Sequence, residues 1–585
     1  MKLIFRYLKK YKGAVALAIF IKLIGTLSEL LLPYILEHII DDVVPLNDLK
    51  RVIFWGLMMF VVTILCRYFN VKANGKAIDN AHRISYEVRQ ALFEKTMNLT
   101  GSQFDAFTLP SLISRMTSDS YNVQSAVQQF QTLCVRAPIM LVGGIAVASF
   151  MDFGLAKIMI AIMPVLVLVI LFVSSRGIPL YSKVQDRLDE VVRIMRENIT
   201  GIRVVKALSK ENYEIRRFET ANRDMTKTDI RAVTVMAIPS PLMQLCLNSG
   251  LTLVVLIGAS RVNQGLMKPG VILAFLTYFN MIAMGVMGLN RIFMTLSKAS
   301  ASADRIDAVL QTEDNVFVIE HHEETGEESD EAVRFDHVSF AYGEGSGKAE
   351  DFAGEQRENA LDDISFVLKK GESLGIIGPT GCGKTTIVNL MMRFYEVTEG
   401  EIMIDGRRIS TYGKKELREK FGTVFQNDMI FQDTLRENID FGRELEEEHI
   451  HNAVDHAMAS EFVNSLKEGL DYEAAIRGAN LSGGQKQRIL VARALAAKPE
   501  ILILDDSSSA LDYRTDAAMR RAINENYPDS TVVMIAQRVS SVMNMTNILV
   551  LDNGRCIGYG SHETLMKECE PYRDIYEIQM GAMRQ

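Results

Sequence analysis

The chain has little of what marks a secreted, metal-binding or nucleic-acid-binding protein. Its six cysteines are scattered, without a C-x-x-C pair or the spacing of zinc ligands, which argues against both a disulfide framework and a zinc site. Positive charge is not in excess, because 64 Lys and Arg stand against 72 Asp and Glu, for a net charge of −8. The composition therefore indicates no nucleic-acid partner. Proline and glycine are rare at 74–133 and 176–235, so these polar stretches predict long helices.

Apolar sequence, by contrast, is abundant in the first half of the chain. Apolar residues make up 48% of the 585 residues, and their long runs are confined to about the first 300 residues, whereas the rest has an ordinary globular composition. A chain of this length predicts more than one domain. We expect a transmembrane domain at 1–311, a linker at 312–332 that includes the strongly acidic Glu320–Glu331, and a globular domain at 333–585.

Six segments are long and apolar enough to cross ~30 Å of hydrocarbon, which takes about 20 residues. They lie at about 14–36, 52–73, 134–151, 156–175, 236–260 and 271–296. Five basic residues precede the first span, namely Lys2, Arg6, Lys9, Lys10 and Lys12. Because basic flanks stay inside, we expect a multi-pass protein of the cell membrane with a cytoplasmic N-terminus. Pro239 and Pro241 are expected to break or kink the helix where span five begins.

Polar and methionine side chains within the predicted spans have two interpretations each. Lys22 and Glu29 share one face of span one, where they either contact a substrate, with Glu29 attracting cations, or pack against polar neighbours or headgroups. Met281, Met284 and Met287 recur at helical spacing in span six. Thioethers suit adaptable binding surfaces, but core packing is the commoner explanation, and we expect it here.

The second half of the chain contains a phosphate-binding pattern. Residues 378–385 read G-P-T-G-C-G-K-T and fit G-x-x-x-x-G-K-[ST] at every fixed position. An apolar strand at Ser373–Ile377 precedes the loop, and a helix is predicted to begin near Lys384, so backbone amides and a helix N-terminus would face the phosphates of ATP. The predicted nucleotide-binding residues here are Gly378, Thr380, Gly381, Cys382, Gly383, Lys384, Thr385 and Thr386. The Thr385 hydroxyl is expected to coordinate Mg²⁺.

Two further motifs follow in order. Leu481-Ser482-Gly483-Gly484-Gln485 lies ahead of a predicted helix, and the apolar strand Ile501–Leu504 ends in Asp505. Together with the phosphate loop, these motifs resemble the ATP-binding cassette (ABC) of membrane transporters. The resemblance implies that Asp505 and Gln426 hold Mg²⁺ and that Tyr342 stacks on adenine. It also implies that 509–512 crosses an interface between two cassettes, and leaves 343–359 as a surface insertion.

The signature segment implies a partner. In this family it closes over the ATP that the opposite cassette holds, so Ser482, Gly483, Gly484 and Gln485 would form an anion site at a helix N-terminus. The membrane half carries matching features: Gln103-Phe104-Asp105 and 197–207 resemble the inner loops through which ABC exporters touch the cassette. The implied fold class is a multi-pass α-helical membrane domain, with six transmembrane helices extended into the cytoplasm, plus an α/β P-loop ATP-binding cassette.

Three positions depart from the family pattern. Asp506 stands where the family has a Glu that acts as general base, and its side chain is one methylene shorter. Gln537 replaces the family's switch His and cannot carry positive charge. Ile476 replaces a Glu in the loop before the signature. We therefore expect Asp506 and Gln537 to form a catalytic pair that cleaves ATP slowly.

An intact signature beside a weakened cleavage site predicts one half of a heterodimeric exporter. Its partners would be a homologous ABC half-transporter, membrane lipid and a small-molecule substrate, with amphipathic, multidrug-type compounds as the expected cargo and the ATPase domain in the cytoplasm. The alternatives are a homodimeric exporter of lipid or peptide, and an ATP-gated channel or regulator. A soluble cassette ATPase is disfavoured because it would lack the six spans.

Overall fold

The computed structural model describes residues 1–312, 329–343, 359–426, 428–506 and 510–582. They fall into two compact units. The membrane unit comprises Met1–Lys95 and Leu112–Gln311, and the cassette unit comprises Thr96–Ser111 and Thr312–Gln585. The linker expected at 312–332 and the insertion expected at 343–359 lie mostly outside the described residues, as does Ser509 of the predicted interface segment.

The first thirteen α-helices follow one another with short connections. They are α1 (Lys2–Lys10), α2 (Lys12–His38), α3 (Leu49–Met97), α4 (Gly101–Phe107), α5 (Leu109–Ser114), α6 (Ser120–Gln131), α7 (Leu133–Pro138), α8 (Gly144–Met151), α9 (Phe153–Thr200), α10 (Ile202–Ala207), α11 (Glu211–Ala237), α12 (Pro239–Asn263) and α13 (Pro269–Leu310). Turns of π-helix at Ile39–Val43, Arg115–Asp119 and Ile139–Gly143 continue the neighbouring helices. As predicted, α3 and α9 run on far beyond the length of a membrane span.

Five helical stretches within the described residues are long and apolar enough to cross a membrane. These are Lys12–Leu46, Leu49–Met97, Leu109–Met151, Glu211–Asn263 and Pro269–Gly288. The span predicted at 156–175 overlaps the shorter apolar stretch Phe153–Leu166 and lies within α9. The predicted helix boundary at span five is also present, because α11 ends at Ala237 and α12 begins at Pro239. Proline is well suited to the first position of a helix, since the backbone N–H that it lacks would have no hydrogen-bond acceptor within the helix there.

Close helix contacts shape the interior of the membrane unit. A Cβ atom at Gly285 of α13 would lie 3.2 Å from the carbonyl oxygen of Ala137 in α7, so glycine lets these two helices approach. Tyr278 of α13 is fully buried, and its hydroxyl donates to the carbonyl of Leu30 in α2 at 2.8 Å. These contacts bring α2, α7 and α13 together.

The cassette unit is built on two sheets. Its strands are β1 (Glu331–Phe340), β2 (Leu361–Lys369), β3 (Ser373–Ile377), β4 (Glu399–Ile404), β5 (Arg407–Arg408), β6 (Phe421–Val424), β7 (Ile501–Asp505), β8 (Thr531–Ile535), β9 (Asn547–Asp552) and β10 (Arg555–Gly560). A four-stranded antiparallel sheet has the order β2-β1-β4-β5, and a six-stranded sheet has the order β10-β9-β3-β8-β7-β6. In the larger sheet β9, β3, β8, β7 and β6 are parallel. Strands β7 and β8 are buried at every residue, as their continuous apolar sequence predicts.

The remaining α-helices belong to the cassette unit. They are α14 (Lys384–Met391), α15 (Lys414–Glu419), α16 (Leu435–Asp440), α17 (Glu447–His456), α18 (Ser460–Ser465), α19 (Gly483–Leu495), α20 (Tyr513–Asn526), α21 (Val539–Val542), α22 (His562–Glu568) and α23 (Glu570–Ala582). Of these, α19 and α21 pack directly on strands β6 and β3, respectively. Because β3, β6, β7 and β8 are parallel, the segments that follow them meet at one edge of the sheet, which is where open α/β sheets bind ligands.

The short helix α4 belongs to the cassette unit. The amide of Gly101 donates to the carbonyl of Phe394 at 2.9 Å, and the hydroxyl of Tyr395 donates to Oδ2 of Asp105 at 2.7 Å. Thr100 and Gln103 begin the helix with a capping box, which satisfies two otherwise unpaired amides. The predicted first inner loop therefore packs on the cassette, as a coupling helix would.

Candidate nucleotide-binding site

The phosphate loop joins β3 to α14 where the sequence predicts it. Gly381 and Gly383 have φ angles of +88° and +100°, a region that favours glycine. A Cβ atom at Gly383 would also lie 2.7 Å from the carbonyl oxygen of Ala360. The loop therefore needs glycine here for both conformation and space, and its amides precede the N-terminus of α14, which favours an anion.

The lysine of the loop lies across its own backbone. Nζ of Lys384 donates to the carbonyl oxygens of Gly378 and Pro379, at 2.9 and 2.7 Å. Thr380 and Gly381 are exposed beside it, whereas Cys382 is buried. Burial raises the pKa of the Cys382 thiol, so this side chain stays neutral while the lysine supplies the positive charge of the loop.

Tyr342 and Thr386 form a pair that the sequence did not predict. The Tyr342 ring is 41% exposed and meets Phe340 and Tyr395 edge-on, with centroids 4.8 and 5.2 Å apart. Its hydroxyl lies 3.0 Å from the hydroxyl of Thr386, whose side chain is buried. Thr386 thus positions the aromatic ring, and the exposed fraction of the ring is available for stacking.

Thr385 and Asp505 place two hard oxygen ligands side by side. Oγ1 of Thr385 donates to Oδ2 of Asp505 at 3.0 Å, and Asp505 is 2% exposed. Burial raises the pKa of Asp505, and the neighbouring carboxylate of Asp506 adds to this rise. Lys384 acts to lower this pKa, but among the described residues no cation forms an ion pair with Asp505. A hydroxyl next to such a carboxylate fits Mg²⁺, which takes few protein ligands and completes its octahedron with water and phosphate oxygens. When bound, the ion would neutralise charge on the phosphates.

Gln426 lies at the same edge of the sheet. It follows β6 by two residues and is exposed. Val424 of β6 pairs with Leu504 of β7, the residue before Asp505. The parallel register therefore directs Gln426 and Asp505 to the same end of neighbouring strands, a placement that two ligands of one metal ion would need.

Asp506 and Gln537 contact each other. Nε2 of Gln537 donates to Oδ2 of Asp506 at 3.1 Å, and the amide of Asp506 donates to the carbonyl of Ile535 at 3.0 Å. Asp506 has a left-handed φ of +50°. Burial raises the pKa of its carboxyl, while Lys384 and Arg538 act to lower it. A neutral amide donor thus occupies one oxygen of the side chain that is predicted to accept a proton from water.

The signature segment begins a well-capped helix. Oγ of Ser482 accepts from the amide of Gln485 at 3.3 Å, and Oε1 of Gln485 accepts from the amide of Ser482 at 2.8 Å. This capping box starts α19 at Gly483, with Gly484 in its first turn. Ser482 and Gly483 are exposed, so the N-terminus of a 13-residue helix faces solvent, with its positive dipole end available to an anion.

Two glutamines that the sequence did not single out hold the site loops. Nε2 of Gln487, in α19, donates to the carbonyl of Asp506 at 3.3 Å, and its Oε1 accepts from the amide of Ala510 at 3.4 Å. Gln579 of α23 accepts from the amide of Val539 at 2.8 Å and donates to the carbonyl of Gln537 at 3.0 Å. The position of Gln487, two residues after the end of the signature, was a usable signal. Gln579 is 42 residues from its partner Gln537, and nothing in the sequence pointed to it.

Comparison with known proteins identifies two family models. The model of the ABC transporter transmembrane region matches residues 15–286, and the ABC transporter model matches residues 361–509. A solved structure of a bacterial Atm1-family ABC exporter with ATP bound is similar in fold, with a TM-score of 0.79, 23% identity and coverage of 97% of this chain and 98% of that one.

Curated relatives match over nearly their full length. The uncharacterized ABC transporter ATP-binding protein YfiB of Bacillus subtilis is 34% identical over 98% of both chains. An ATP-dependent lipid A-core flippase of Vibrio vulnificus is 29% identical over 99% of this chain and 97% of its own. These matches confirm the predicted fold class of a helical membrane domain plus an α/β cassette. The chain is therefore a member of the ABC transporter family, with an exporter fold and an ATPase coupled to transport.

Proposed function

We propose that this chain is one subunit of a heterodimeric exporter that uses ATP to move amphipathic small molecules across the cell membrane. The observation that carries the proposal is the contact of Gln537 with Asp506, at 3.1 Å, beside an intact and exposed signature. The proposal keeps a membrane domain at 1–311, a linker at 312–332 and a nucleotide-binding domain at 333–585, with the last on the cytoplasmic side.

The contact between Gln537 and Asp506 explains why Asp506 should be a weak general base. A general base must reach the attacking water, and a positioned one contributes about 10²–10⁴ in rate. Asp506 is shorter than glutamate, and an amide donor already holds one of its oxygens. Gln537 stays neutral and so adds no positive charge opposite the γ-phosphate. We infer that this chain binds ATP at its phosphate loop and hydrolyses it slowly.

The signature supplies the other half of the argument. Ser482 and Gly483 are exposed at the start of a capped helix, a surface suited to the γ-phosphate of an ATP held by another cassette. A homologous half-transporter with glutamate and histidine at the two altered positions would provide that ATP. One competent site and one slow site would then drive the cycle, while the retained nucleotide keeps the two cassettes together.

The test compares the chain alone with the chain and its partner. Each preparation is purified in lipid nanodiscs, and both its subunit stoichiometry and its ATPase rate are measured. We expect slow hydrolysis by the chain alone and at least about a tenfold increase on co-assembly with the partner. The control is a partner whose catalytic glutamate is replaced by glutamine, which should remove the increase.

The homodimeric alternative makes the opposite prediction. A purified dimer of identical chains that hydrolyses ATP rapidly and exports substrate from vesicles without a second subunit would disprove the heterodimer. Ion conductance without substrate accumulation would instead identify a channel. Both measurements use the same reconstituted vesicles.

A further inference from the structure

A cavity of about 380 Å³ lies in the membrane unit between α2, α7 and α13. Gly285 and Gly288 of α13 line it where that helix approaches α7. Its charged lining residues are Glu29, Arg136 and Arg291. Charged groups at membrane depth are costly, and they usually mark a pathway or binding site.

The cavity carries net positive charge. Glu29 and Arg136 form an ion pair with 2.8 Å between Oε1 and a guanidinium nitrogen. Glu29 is therefore neutralised, and its predicted role of attracting cations is not supported by this geometry. Arg291 is exposed, and among the described residues no carboxylate pairs with it. One unpaired guanidinium thus remains, together with the free donors of Arg136.

Methionine thioethers contribute much of the apolar part of the wall. Met281, Met284 and Met287 all line the cavity. Met284 is 63% exposed and Met287 is 51% exposed, so the expectation of core packing is wrong for these two residues. Flexible, polarizable methionines adapt to apolar ligands of varied shape, which is the use that this exposed position allows.

The charged and apolar parts are separated along one helix. Arg291 lies four residues after Met287 and seven after Met284, so the three side chains share a face of α13. At 1.5 Å per residue, Arg291 lies about 33 Å from Pro269, where the helix begins. This distance is close to the thickness of the hydrocarbon core. Arg291 therefore lies towards one membrane boundary, and Met284 and Met287 lie deeper in the bilayer. Arg136 lies beside the deeper part, because its neighbour Ala137 packs against Gly285 and Gly288.

We propose that this cavity binds anionic amphiphiles, with a phosphate, carboxylate or sulfonate headgroup at Arg291 and Arg136 and an apolar body against the methionines. Guanidinium donors bind such oxyanions through paired hydrogen bonds. The proposal rests on the export function proposed above and specifies the substrate class of that function.

Equilibrium binding to the full transporter in phosphatidylcholine nanodiscs tests the proposal. The probes are dansylamino-undecanoate, its uncharged methyl ester, and a dansyl-alkyl trimethylammonium of the same length, with dansyl fluorescence as the readout. We expect the wild type to bind the carboxylate at least about tenfold more tightly than the ester, as one charge-assisted contact allows. A stronger affinity for the trimethylammonium compound would overturn the proposal.

Variants of the cavity charge sharpen the test. Arg291→Gln should weaken carboxylate binding about tenfold, whereas Arg291→Lys, which keeps the charge, should retain most of it. Glu29→Gln should strengthen binding, because it frees the charge of Arg136. The matched control is Lys298→Gln, which removes one positive charge from an exposed position of α13 outside the cavity lining. An Arg291→Gln protein that binds like the control, or weaker binding by Glu29→Gln, would contradict the proposal.

Transport measurements separate this inference from the proposed function. ATP-driven accumulation of the cationic probe in inverted vesicles, without the anionic one, would leave export in place and refute the anionic substrate class. Binding in the expected order, with no ATP-driven accumulation of any probe by the assembled transporter, would support the site and refute export.

Discussion

The phosphate-loop end and the signature end of the cassette unit differ in how much of their chemistry is intact. At the phosphate-loop end, Lys384 and Thr385 are in place, but Gln537 holds the carboxylate of Asp506. At the signature end, Ser482 and Gln485 complete a capping box, and the helix N-terminus is exposed. Under the proposed function, nucleotide binding and ATP cleavage depend on different residues, and the changes at Asp506 and Gln537 weaken only cleavage.

In the proposed assembly, a weakened base in one subunit does not disable the transporter. There, the signature end acts on nucleotide held by another cassette, so its contribution to turnover does not depend on Asp506. A subunit can lose its own cleavage chemistry and still complete a partner's site. Changes at the two ends should accordingly have different effects on ATP turnover.

The largest change in ATP turnover is expected from Ser482→Arg. The guanidinium side chain would occupy the anion site at the start of α19 and remove the cap, so ATP turnover of the assembled transporter should fall at least about 100-fold. The matched control is Ser561→Arg, because Ser561 is also exposed and caps a helix, accepting from the amide of Thr564 at 3.3 Å. Normal turnover by Ser482→Arg would refute the shared site.

Faster ATP hydrolysis is expected from the double substitution Asp506→Glu and Gln537→His. The longer carboxylate and the protonatable imidazole restore the missing chemistry, so hydrolysis at this chain's own site should rise about tenfold or more. Single-turnover hydrolysis is measured in a transporter whose partner site lacks its base. Asp529→Glu, at an exposed loop position, serves as the control. Unchanged kinetics in the double variant would count against the assignment of Asp506 as the base.

A smaller loss of ATP turnover is expected from substitution of Gln487, which links the signature helix to the loop that contains Asp506. Gln487→Ala removes the hydrogen bonds from α19 to the backbone of Asp506 and Ala510, and steady-state turnover should fall about threefold. Gln487→Glu keeps the acceptor for Ala510 and loses the donor to Asp506, so an intermediate rate is expected. Equal rates in all three proteins would show that this link does not position the loop.

The smallest effect concerns the stability of the metal-binding end. Burial raises the pKa of Asp505, so the folded state binds this proton more tightly than the unfolded state. The stability that this proton provides is complete below the usual pKa of aspartate and is lost as the pH rises through the raised value. At pH 8 without nucleotide, Asp505→Asn should therefore increase the melting temperature, by about 3 °C.

Differential scanning fluorimetry of the purified transporter checks this effect. The gain in melting temperature should shrink as the pH is lowered from 8 towards the usual pKa of aspartate, about 4. Addition of ATP with Mg²⁺ should then stabilise the wild type more than the variant, because the variant lacks the metal-binding carboxylate. A variant that gains equally from the nucleotide would exclude Asp505 as a magnesium ligand.

Much of the cassette unit could be predicted because its signals are local. The phosphate loop, its strand at Ser373–Ile377 and the helix from Lys384 lie where the sequence places them. The signature helix begins at Gly483, slightly earlier than expected, because Ser482 caps it. Glycine spacing, capping residues and apolar strand runs each act over a few residues, so a linear sequence records them fully.

The membrane unit was less predictable in detail. Its apolar runs indicated the spans, and its prolines indicated the helix boundary before Pro239. The same composition could not distinguish core methionines from cavity methionines, because both occur at helical spacing. Exposure of Met284 and Met287 became visible only once α13 was placed against α7.

By itself, the sequence determined the family, the order of the domains and the identity of the altered residues, since these depend on which side chains are present and on their local spacing. Tertiary structure alone decided that Gln537 donates to Asp506, that Gln579 holds the same loop, and that Glu29 is neutralised by Arg136. Each of these contacts joins distant parts of the chain. Short-range propensities do not encode such pairs, which form only when packing brings separate elements within hydrogen-bond distance.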